Sequence, residues 1–337
     1  MKRDFVGVAD WSTKELMQIL DLSKKMKANP KKFANSLEGK SVALIFEKQS
    51  LRTHVTFEIG MKQLGANTVY LTNADISLGK RESIHDVAKN LERWVDAVVI
   101  RTFAQKNLDD LAKFAKIPVI NALTDFEHPC QVIGDFLTIQ EHFGSFKGKK
   151  LAWVGDGNNV CHSLMLMAAK VGMDFIAITP AGLQPHYTVV DRAMQIAGTT
   201  GAKIELSCNP SEGVQNVDVI YTDVWVSMGQ EADFDTKMKA FAGFQINAGL
   251  MKQAKPTAIF MHCLPAHRGE EVTDEVMDSP QSVVFDEAEN RLHTQKAILY
   301  TLLKDKGREK LHTRRSRRKL ARPSRTARNN RRTARKR

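Results

Sequence analysis

The sequence predicts an α/β protein made of two doubly wound parallel-sheet domains joined by helices, with a disordered basic tail at the C-terminus. Short apolar segments alternate with helical segments over most of the chain, a pattern typical of parallel sheets covered by helices. A turn-rich stretch, residues 144–149, interrupts this alternation near the middle of the 337 residues. Beyond residue 305 the apolar pattern stops and basic residues dominate.

The first domain is expected to span residues 1–143. Its strands are predicted at Ser41–Phe46, Asn67–Leu71, Ala97–Thr102 and Pro118–Asn121. Its helices are predicted at His54–Leu64, Ser83–Val95, Leu108–Ala115 and Cys130–Phe143. The first of these helices carries apolar residues at every second or third position and is expected to be mostly buried.

The second domain is expected to span residues 148–286. Its strands are predicted at Leu151–Val154, Asp174–Thr179, Lys203–Ser207, Val217–Thr222, Ala258–His262 and Val283–Asp286. A long helix over residues 287–305 is expected to pack back on the first domain. Ligands in such folds bind at the carboxyl ends of the strands, near the point where the strand order reverses.

The charge of the chain is divided unevenly. Residues 306–337 hold 16 of the 50 Lys and Arg residues and one acid, so the tail carries +15, the rest of the chain carries −3, and the net charge is +12. We expect this tail to be disordered because it has no apolar pattern. It is either a solvated extension or a nonspecific nucleic-acid-binding segment, and we expect any nucleic-acid contact to be confined to it.

The cysteines and the hydropathy restrict the cellular setting. Cys130, Cys161, Cys208 and Cys263 lie far apart without a CxxC pair, which disfavours a disulfide framework or a zinc site and favours a reducing cytoplasm. No segment approaches the roughly 18–20 apolar residues of a membrane span, so no membrane partner is expected. The N-terminus resembles neither a secretory signal nor a transit peptide.

Two stretches of the first domain are candidates for anion chemistry. Ser50, Arg52 and Thr53 lie where a predicted strand gives way to a helix N-terminus, a position that favours a phosphate. The alternative is a helix cap beside a surface arginine. His128 and Gln131 lie three residues apart at another predicted helix start, and His128 is either structural or catalytic.

Three stretches of the second domain also carry candidate groups. The loop 155–159 contains half of a dinucleotide fingerprint, but Val160 replaces its third glycine, which disfavours nicotinamide binding. The loop 223–230 is either a lid or a packed surface loop. Cys263 is either a nucleophile near histidines or a small buried apolar residue.

Together these stretches resemble the ornithine carbamoyltransferases of the aspartate/ornithine carbamoyltransferase superfamily. The motifs occur in the family's order: Ser50-x-Arg52-Thr53, His128-Pro129-Cys130-Gln131, Asp223-x-x-x-Ser227-Met228-Gly229, His262-Cys263-Leu264-Pro265 and residues 285–291. The resemblance covers about residues 1–305. The Ser-Met-Gly loop and the Cys-Leu-Pro turn separate the ornithine enzymes from the aspartate enzymes.

The resemblance implies a transfer of the carbamoyl group from carbamoyl phosphate to the δ-amine of L-ornithine, giving L-citrulline and phosphate, with no cofactor or metal. It implies a carbamoyl phosphate site made of Ser50, Leu51, Arg52, Thr53, Arg101, His128, Gln131, Cys263, Leu264 and Arg291. It implies an ornithine site made of Asn159, Asp223, Ser227 and Met228. Arg101, His128 and Cys263 are implied as catalytic, and we expect Cys263 to orient the amine rather than to act as the base.

The resemblance also implies a homotrimer in which a neighbouring subunit lends a side chain to the carbamoyl phosphate site. Many members have a glutamine where this chain has Ser77, so Lys80 or Arg81 could take over the phosphate contact. Leu51 replaces a threonine found in many members. The alternatives are a catabolic direction, another amine as acceptor, and an inactive protein that associates with nucleic acid through its tail.

Overall fold

The computed structural model describes residues 2–227, 229, 232 and 234–304. Within these residues the chain forms two sheets, and every strand pair in both sheets is parallel. The predicted fold class is therefore confirmed for this part of the chain. The basic tail lies outside the described residues. None of the described helices is long and apolar enough to cross a membrane.

The first sheet has the strand order β2-β1-β3-β4. Its strands are β1 (Ser41–Phe46), β2 (Asn67–Thr72), β3 (Ala97–Arg101) and β4 (Val119–Leu123). The helices of this half are α1 (Thr13–Ala28), α2 (Pro30–Phe33), α3 (Arg52–Gln63), α4 (Asn73–Ile76), α5 (Ile84–Trp94), α6 (Gln105–Phe114) and α7 (Pro129–Phe143). Strands β3 and β4 are buried throughout, as expected for apolar strands covered on both faces, whereas the edge strand β2 is partly exposed.

The second sheet has the strand order β7-β6-β5-β8-β9. Its strands are β5 (Lys150–Val154), β6 (Asp174–Ile178), β7 (Ile204–Ser207), β8 (Val219–Thr222) and β9 (Ile259–His262). The remaining helices are α8 (Asn159–Val171), α9 (Tyr187–Thr200), α10 (Pro210–Gly213), α11 (Phe234–Ala240), α12 (Ala248–Met251), α13 (Asp274–Met277) and α14 (Val284–Leu303).

The last helix, α14, joins the two halves. It follows the second sheet in sequence but packs against α1, α3 and α7 of the first half. Gly134 makes this crossing close, because a Cβ atom there would lie 3.2 Å from Cγ of Arg291. As a result, Arg291 is buried between the halves rather than exposed on a terminal helix.

Two sequence predictions about local structure are wrong. Val283–Asp286 is not a strand: next to a single bridge between Phe260 and Ser282, the chain enters α14 at Val284. Asp286 and Glu287 lie in the first turn of that helix, where carboxylates interact favourably with the helix dipole. Helix α3 is less buried than predicted, because Val55 and Ile59 are 44% and 41% exposed.

The strand order reverses at one point in each sheet. In the first sheet, β1 is flanked by β2 and β3, and in the second, β5 is flanked by β6 and β8. Each reversal leaves a crevice at the carboxyl ends of the strands, where ligands bind in doubly wound folds. The loops that leave these strand ends line one shared cavity.

Candidate active site

The shared cavity has a volume of about 720 Å³. Every sequence-predicted site residue that the structure describes lines it: Ser50, Leu51, Arg52, Thr53, Arg101, His128, Gln131, Asn159, Asp223, Ser227, Cys263, Leu264 and Arg291. Met228 lies outside the described residues. The structure therefore brings together residues that are up to about 240 positions apart in sequence, because both switch points open into the same space.

The first wall of the cavity is the N-terminus of α3. The cap position is Leu51, which has helical backbone angles and no capping side chain, so the expected alternative of a Ser or Thr cap is wrong. The amide groups of this helix start are thus left without a side-chain acceptor, and they lie at the positive end of the helix dipole. The Leu51 side chain itself is 73% exposed.

Three guanidinium groups converge on this wall. Burial, and then the nearby charges of Arg291 and Arg52, lower the pKa of Arg101 to about 10. Burial, followed by the charge of Arg52, also lowers the pKa of Arg291. All three groups stay charged near neutral pH, and within the described part of the chain the buried Nε atoms of Arg101 and Arg291 have no hydrogen-bond partner. This concentration of positive charge fits a multiply charged anion.

Arg291 also links the last helix to the first wall. Its Nη2 atom donates a hydrogen bond to the Thr53 hydroxyl, in the first turn of α3. Thr53 is 1% exposed, so this contact is removed from solvent. The contact sets the position of both groups relative to the cavity.

His128 caps the start of α7 at the back of the cavity. Its backbone N–H donates to Oγ of Ser163 on α8 at 3.0 Å, and its buried Nδ1 atom has no partner among the described residues. Burial is the main reason that its pKa lies well below the usual value, and Arg291 and Arg101 add to the effect. The imidazole is therefore neutral near pH 7, with one N–H available as a donor.

Gln131 lies one turn further along α7. Its Nε2 atom donates to Asp135 Oδ1 at 2.8 Å and to Glu287 Oε1 at 2.9 Å. The Tyr221 hydroxyl lies 2.9 Å from the same Glu287 oxygen. The Gln131 carbonyl oxygen is buried, and none of the residues that the structure describes donates to it. Sequence reasoning gave none of these three supporting residues a role, because they are far apart in the chain, although Glu287 lies within the 285–291 motif.

The opposite wall carries a carboxylate and a thiol at the ends of β8 and β9. The Cys263 thiol donates to Asp223 Oδ1 at 3.0 Å, and Nδ2 of Asn158 donates to Asp223 Oδ2 at 3.0 Å. Burial, and then the charge of Asp223, raise the pKa of Cys263 well above its usual value. Cys263 is therefore a thiol, and Asp223 accepts hydrogen bonds on both oxygens.

Asn158 and Asn159 belong to the loop between β5 and α8. Asn158 caps α8 by accepting from the N–H groups of Val160 and Cys161, and sequence reasoning missed its second bond to Asp223. Its place at the end of a strand, before a helix, was the available signal. Asn159 donates to the Thr124 carbonyl at 2.5 Å, across the gap between the two halves.

The glycines of this loop serve packing rather than dinucleotide binding. A Cβ atom on Gly157 would lie 2.2 Å from the backbone nitrogen of Pro185, so the loop is held against its neighbour. The Gly157 N–H donates to the Leu183 carbonyl at 2.8 Å and is not directed at a ligand. These contacts agree with the sequence argument against a nicotinamide site.

The turn after β9 is held by a histidine with both ring nitrogens engaged. His262 Nδ1 accepts from the Leu264 N–H at 2.9 Å, and Nε2 lies 3.0 Å from Glu271 Oε1. Leu264 has a φ of 58°, an unusual conformation for a bulky residue. Asp223, His262 and Cys263 could approach one metal ion. However, the engaged His262 ring makes the group a poor ligand set.

Two further observations concern the three residues suggested for a neighbouring subunit's site and one lining residue that the sequence did not suggest. Ser77, Lys80 and Arg81 do not line the cavity of their own chain. Lys48 does line it, and sequence reasoning did not select it: its ammonium group pairs with Asp125 and lies 4.3 Å from the centre of the Phe103 ring. Its position directly before the Ser50–Thr53 stretch was the available signal.

Comparison with known proteins agrees with this geometry. Residues 3–141 match the family model "Aspartate/ornithine carbamoyltransferase, carbamoyl-P binding domain", and residues 147–302 match its "Asp/Orn binding domain". The ornithine carbamoyltransferase of Pyrococcus horikoshii is 51% identical over 303 residues, which cover 89% of this chain and 96% of the relative.

Solved structures give the same result. The ornithine carbamoyltransferase of Pyrococcus furiosus superposes with a TM-score of 0.87 at 49% identity, covering 90% of this chain and 97% of that one. The anabolic ornithine carbamoyltransferase of Campylobacter jejuni superposes with a TM-score of 0.85 at 36% identity, covering 90% and 99%. The chain belongs to the aspartate/ornithine carbamoyltransferase family.

Proposed function

We propose that this protein is an enzyme that transfers the carbamoyl group of carbamoyl phosphate to the δ-amine of L-ornithine, giving L-citrulline and phosphate. The observation that carries the proposal is one cavity with an anion site of three arginines on one wall and the Asp223–Cys263 pair on the other. The names of the relatives, each about half identical to this chain over most of its length, support the same reaction.

Carbamoyl phosphate would occupy the first wall. Its phosphate group would lie on the uncapped start of α3, where Ser50, Arg52 and Thr53 surround it. Arg101 and neutral His128 would donate to the carbamoyl oxygen, while Leu264 and Arg291 close the site. In this assignment of the two substrates, residues 1–143 form the carbamoyl phosphate domain and residues 148–286 form the ornithine domain.

Ornithine would occupy the second wall. The Asp223 carboxylate is the natural partner of its α-amino group, because it already accepts from neutral and weak donors that an ammonium group can displace or join. Asn159 would lie near the α-carboxylate, and Ser227 and Met228 would contact the aliphatic part. The δ-amine then faces the carbamoyl carbon.

The reaction is an attack by the neutral δ-amine on the carbamoyl carbon. A tetrahedral oxyanion develops, and donors that are already in place stabilise it by about 3–4 kcal/mol each in well-studied acyl-transfer sites. The C–O bond to phosphate then breaks, and the leaving phosphate takes the amine proton. Holding the two substrates in line supplies much of the remaining acceleration.

Cys263 would orient the amine rather than remove its proton. A group acts as a base at neutral pH only if it is deprotonated there, and the pKa of this thiol is raised by burial and by Asp223. The oxygens of the leaving phosphate are better suited than this thiol to accept a proton at neutral pH. We therefore assign the proton to the phosphate.

A homotrimer with shared sites is part of the proposal. Leu51, Val55 and Ile59 form an exposed apolar stripe along α3, next to the exposed edge strand β2. Such a stripe beside an unpaired edge favours burial by another subunit. Replacing Val55 and Ile59 with glutamate should yield monomers in sedimentation and abolish activity, whereas a trimer with full activity would exclude this surface.

The direction and the location complete the proposal. We place the reaction in arginine biosynthesis in the cytoplasm, supported by the relatives named anabolic and by the four free cysteines. The catabolic direction uses the same residues.

The basic tail has a separate test. Affinity for duplex DNA that falls steeply with salt and vanishes on deletion of residues 308–337 would assign nucleic-acid binding to the tail.

The proposed reaction is tested by a citrulline assay with ornithine, aspartate and putrescine in parallel. We expect turnover with ornithine alone, because Asp223 and the Ser227 loop suit an α-amino acid with an aliphatic amine. Turnover with aspartate or putrescine but not with ornithine would refute the assignment of the second substrate.

A further inference from the structure

A buried group of carboxyl side chains lies behind the anion site. Asp135 on α7 and Glu287 on α14 are 0% and 1% exposed. Both contact the same amide nitrogen, that of Gln131. The Tyr221 hydroxyl lies 3.2 Å from Asp135 Oδ2 and 2.9 Å from Glu287 Oε1. None of these three residues lines the cavity.

The two carboxyl groups fix which end of the Gln131 amide faces them. Burial raises the pKa of both acids, so the pair holds a proton near neutral pH. The Gln131 NH₂ group has two N–H bonds and donates one to each carboxyl group. An amide oxygen in the same position would need a proton on both acids. The Glu287 oxygen Oε2 accepts from the His262 backbone at 3.1 Å, which holds the acid in place.

The consequence is that the Gln131 carbonyl oxygen is left for the cavity. It is buried and has no hydrogen-bond partner among the residues that the structure describes, although Gln131 is a lining residue. The guanidinium groups of Arg52, Arg101 and Arg291 in the same site can only donate. The Gln131 carbonyl oxygen is an acceptor among these donors. It therefore distinguishes the two ends of a bound carbamoyl group, because the NH₂ group can donate to it and the carbamoyl oxygen cannot.

We propose that Asp135 and Glu287 are positioning residues that turn the Gln131 carbonyl oxygen toward the NH₂ group of carbamoyl phosphate and so select it over acetyl phosphate. This inference rests on the proposed function. Acetyl phosphate carries the same phosphate and carbonyl groups but a methyl group in place of the NH₂. Bound in the same way, it leaves the buried oxygen without a partner, which costs free energy.

The test compares the two phosphates in the full-length enzyme. The readout is the inhibition constant of acetyl phosphate, competing with carbamoyl phosphate, divided by the KM of carbamoyl phosphate. We expect this ratio to fall about tenfold in Asp135→Asn and in Glu287→Gln, as for the loss of one oriented hydrogen bond. The KM of ornithine should change little.

Two further variants separate positioning from general stability. Tyr221→Phe removes a hydroxyl from the same buried group without touching Gln131, and it should keep the wild-type ratio even if it lowers the melting temperature. Gln131→Ala should lower the ratio by itself, and adding Glu287→Gln to it should lower it no further.

The inference fails if the ratio stays at its wild-type value in Gln131→Ala, or in the acid variants while their melting temperatures fall. A wild-type ratio in Gln131→Ala refutes the inference even if neither acid variant folds. A wild-type enzyme that makes no citrulline would refute the proposed function instead. In that case, thermal-shift titrations with the two phosphates still measure the selectivity.

Discussion

The Cys263 thiol donates a hydrogen bond to Asp223 across 3.0 Å, joining the ends of β8 and β9. Burial, together with the neighbouring carboxylate, raises the pKa of the thiol and keeps it protonated, and the thiol in turn fixes one oxygen of the carboxylate. Each residue therefore has a role that depends on the other. Substitutions of Cys263 and of Asp223 are therefore expected to have different effects, because the thiol is a donor and the carboxylate is a charged acceptor.

Replacing Cys263 with serine keeps a donor at this position. If Cys263 orients the amine, the variant should raise the KM of ornithine by up to about tenfold, the range of one perturbed hydrogen bond, with the pH profile of kcat unchanged. Steady-state kinetics between pH 6 and 9 would measure both. The matched control is Cys208→Ser at an exposed cysteine, which should change neither value. A shifted kcat profile with an unchanged ornithine KM would instead indicate general-base catalysis.

Replacing Asp223 with asparagine removes the charge that would pair with the α-amino group of ornithine. We expect the KM of ornithine to rise about 10- to 100-fold, as for loss of a hydrogen bond to a charged group, with little effect on the KM of carbamoyl phosphate. Asp218→Asn is the control, since Asp218 precedes the same strand and pairs with Lys149 and Lys255 at its other end. That variant should lose stability but keep the ornithine KM. Equal changes in both KM values for Asp223→Asn would contradict the assignment.

Binding of a phosphate anion should stabilise the protein, because Arg52, Arg101 and Arg291 repel one another in its absence. At about 100 times its dissociation constant, a ligand adds about 2.7 kcal/mol to the free energy of unfolding. Differential scanning fluorimetry with inorganic phosphate would measure the shift. The shift should shrink in Arg52→Gln and persist in Arg268→Gln, whose guanidinium pairs with exposed carboxylates. Equal shifts in the two variants would place the anion elsewhere.

His162 gives a stability effect with a defined sign. Its Nδ1 lies 2.8 Å from the Phe126 carbonyl and its Nε2 accepts from the His186 N–H, and burial lowers its pKa to about 4. Below the unfolded pKa of about 6.5, the unfolded chain binds a proton that the folded chain does not, so stability falls as pH falls. Between pH 7 and 4 this group alone removes about 3 kcal/mol.

Urea titrations of the wild type and of His162→Asn across this pH range isolate the effect. Groups that titrate in both proteins, such as the buried Glu127, cancel in the difference. The variant should be less stable at pH 7 but should lose less stability on acidification. Parallel curves for the two proteins would show that His162 is not buried as a neutral group.

The sequence was sufficient for the fold class because each strand of this family of folds is a short apolar run with its own turn signals. It was insufficient where tertiary contacts override local pattern. Val283–Asp286 is apolar enough for a strand, but it starts a helix because the following residues continue into α14. Val55 and Ile59 have core-like side chains, but they lie on the outward face of α3 and are largely exposed.

The residues of the candidate site also fall into a group that the sequence predicts and a group that depends on tertiary contacts. Motif residues such as Arg52 and Cys263 were selected because their chemistry stands out at the ends of strands, and the structure brings them to one cavity. The carboxyl pair Asp135 and Glu287 could not be found, because contact between residues 152 positions apart depends on how α14 crosses α7. Nothing in either local sequence signals that crossing.

The central claim is carbamoyl transfer to ornithine in this cavity, and isotope transfer tests it most directly. The enzyme is incubated with ornithine and carbamoyl phosphate labelled with ¹³C at the carbonyl carbon, and products are followed by NMR together with released phosphate. The account predicts that the label enters the ureido carbon of citrulline, one equivalent per phosphate, and that Arg101→Gln abolishes the transfer. Phosphate release without labelled citrulline, or unchanged transfer in Arg101→Gln, would contradict it.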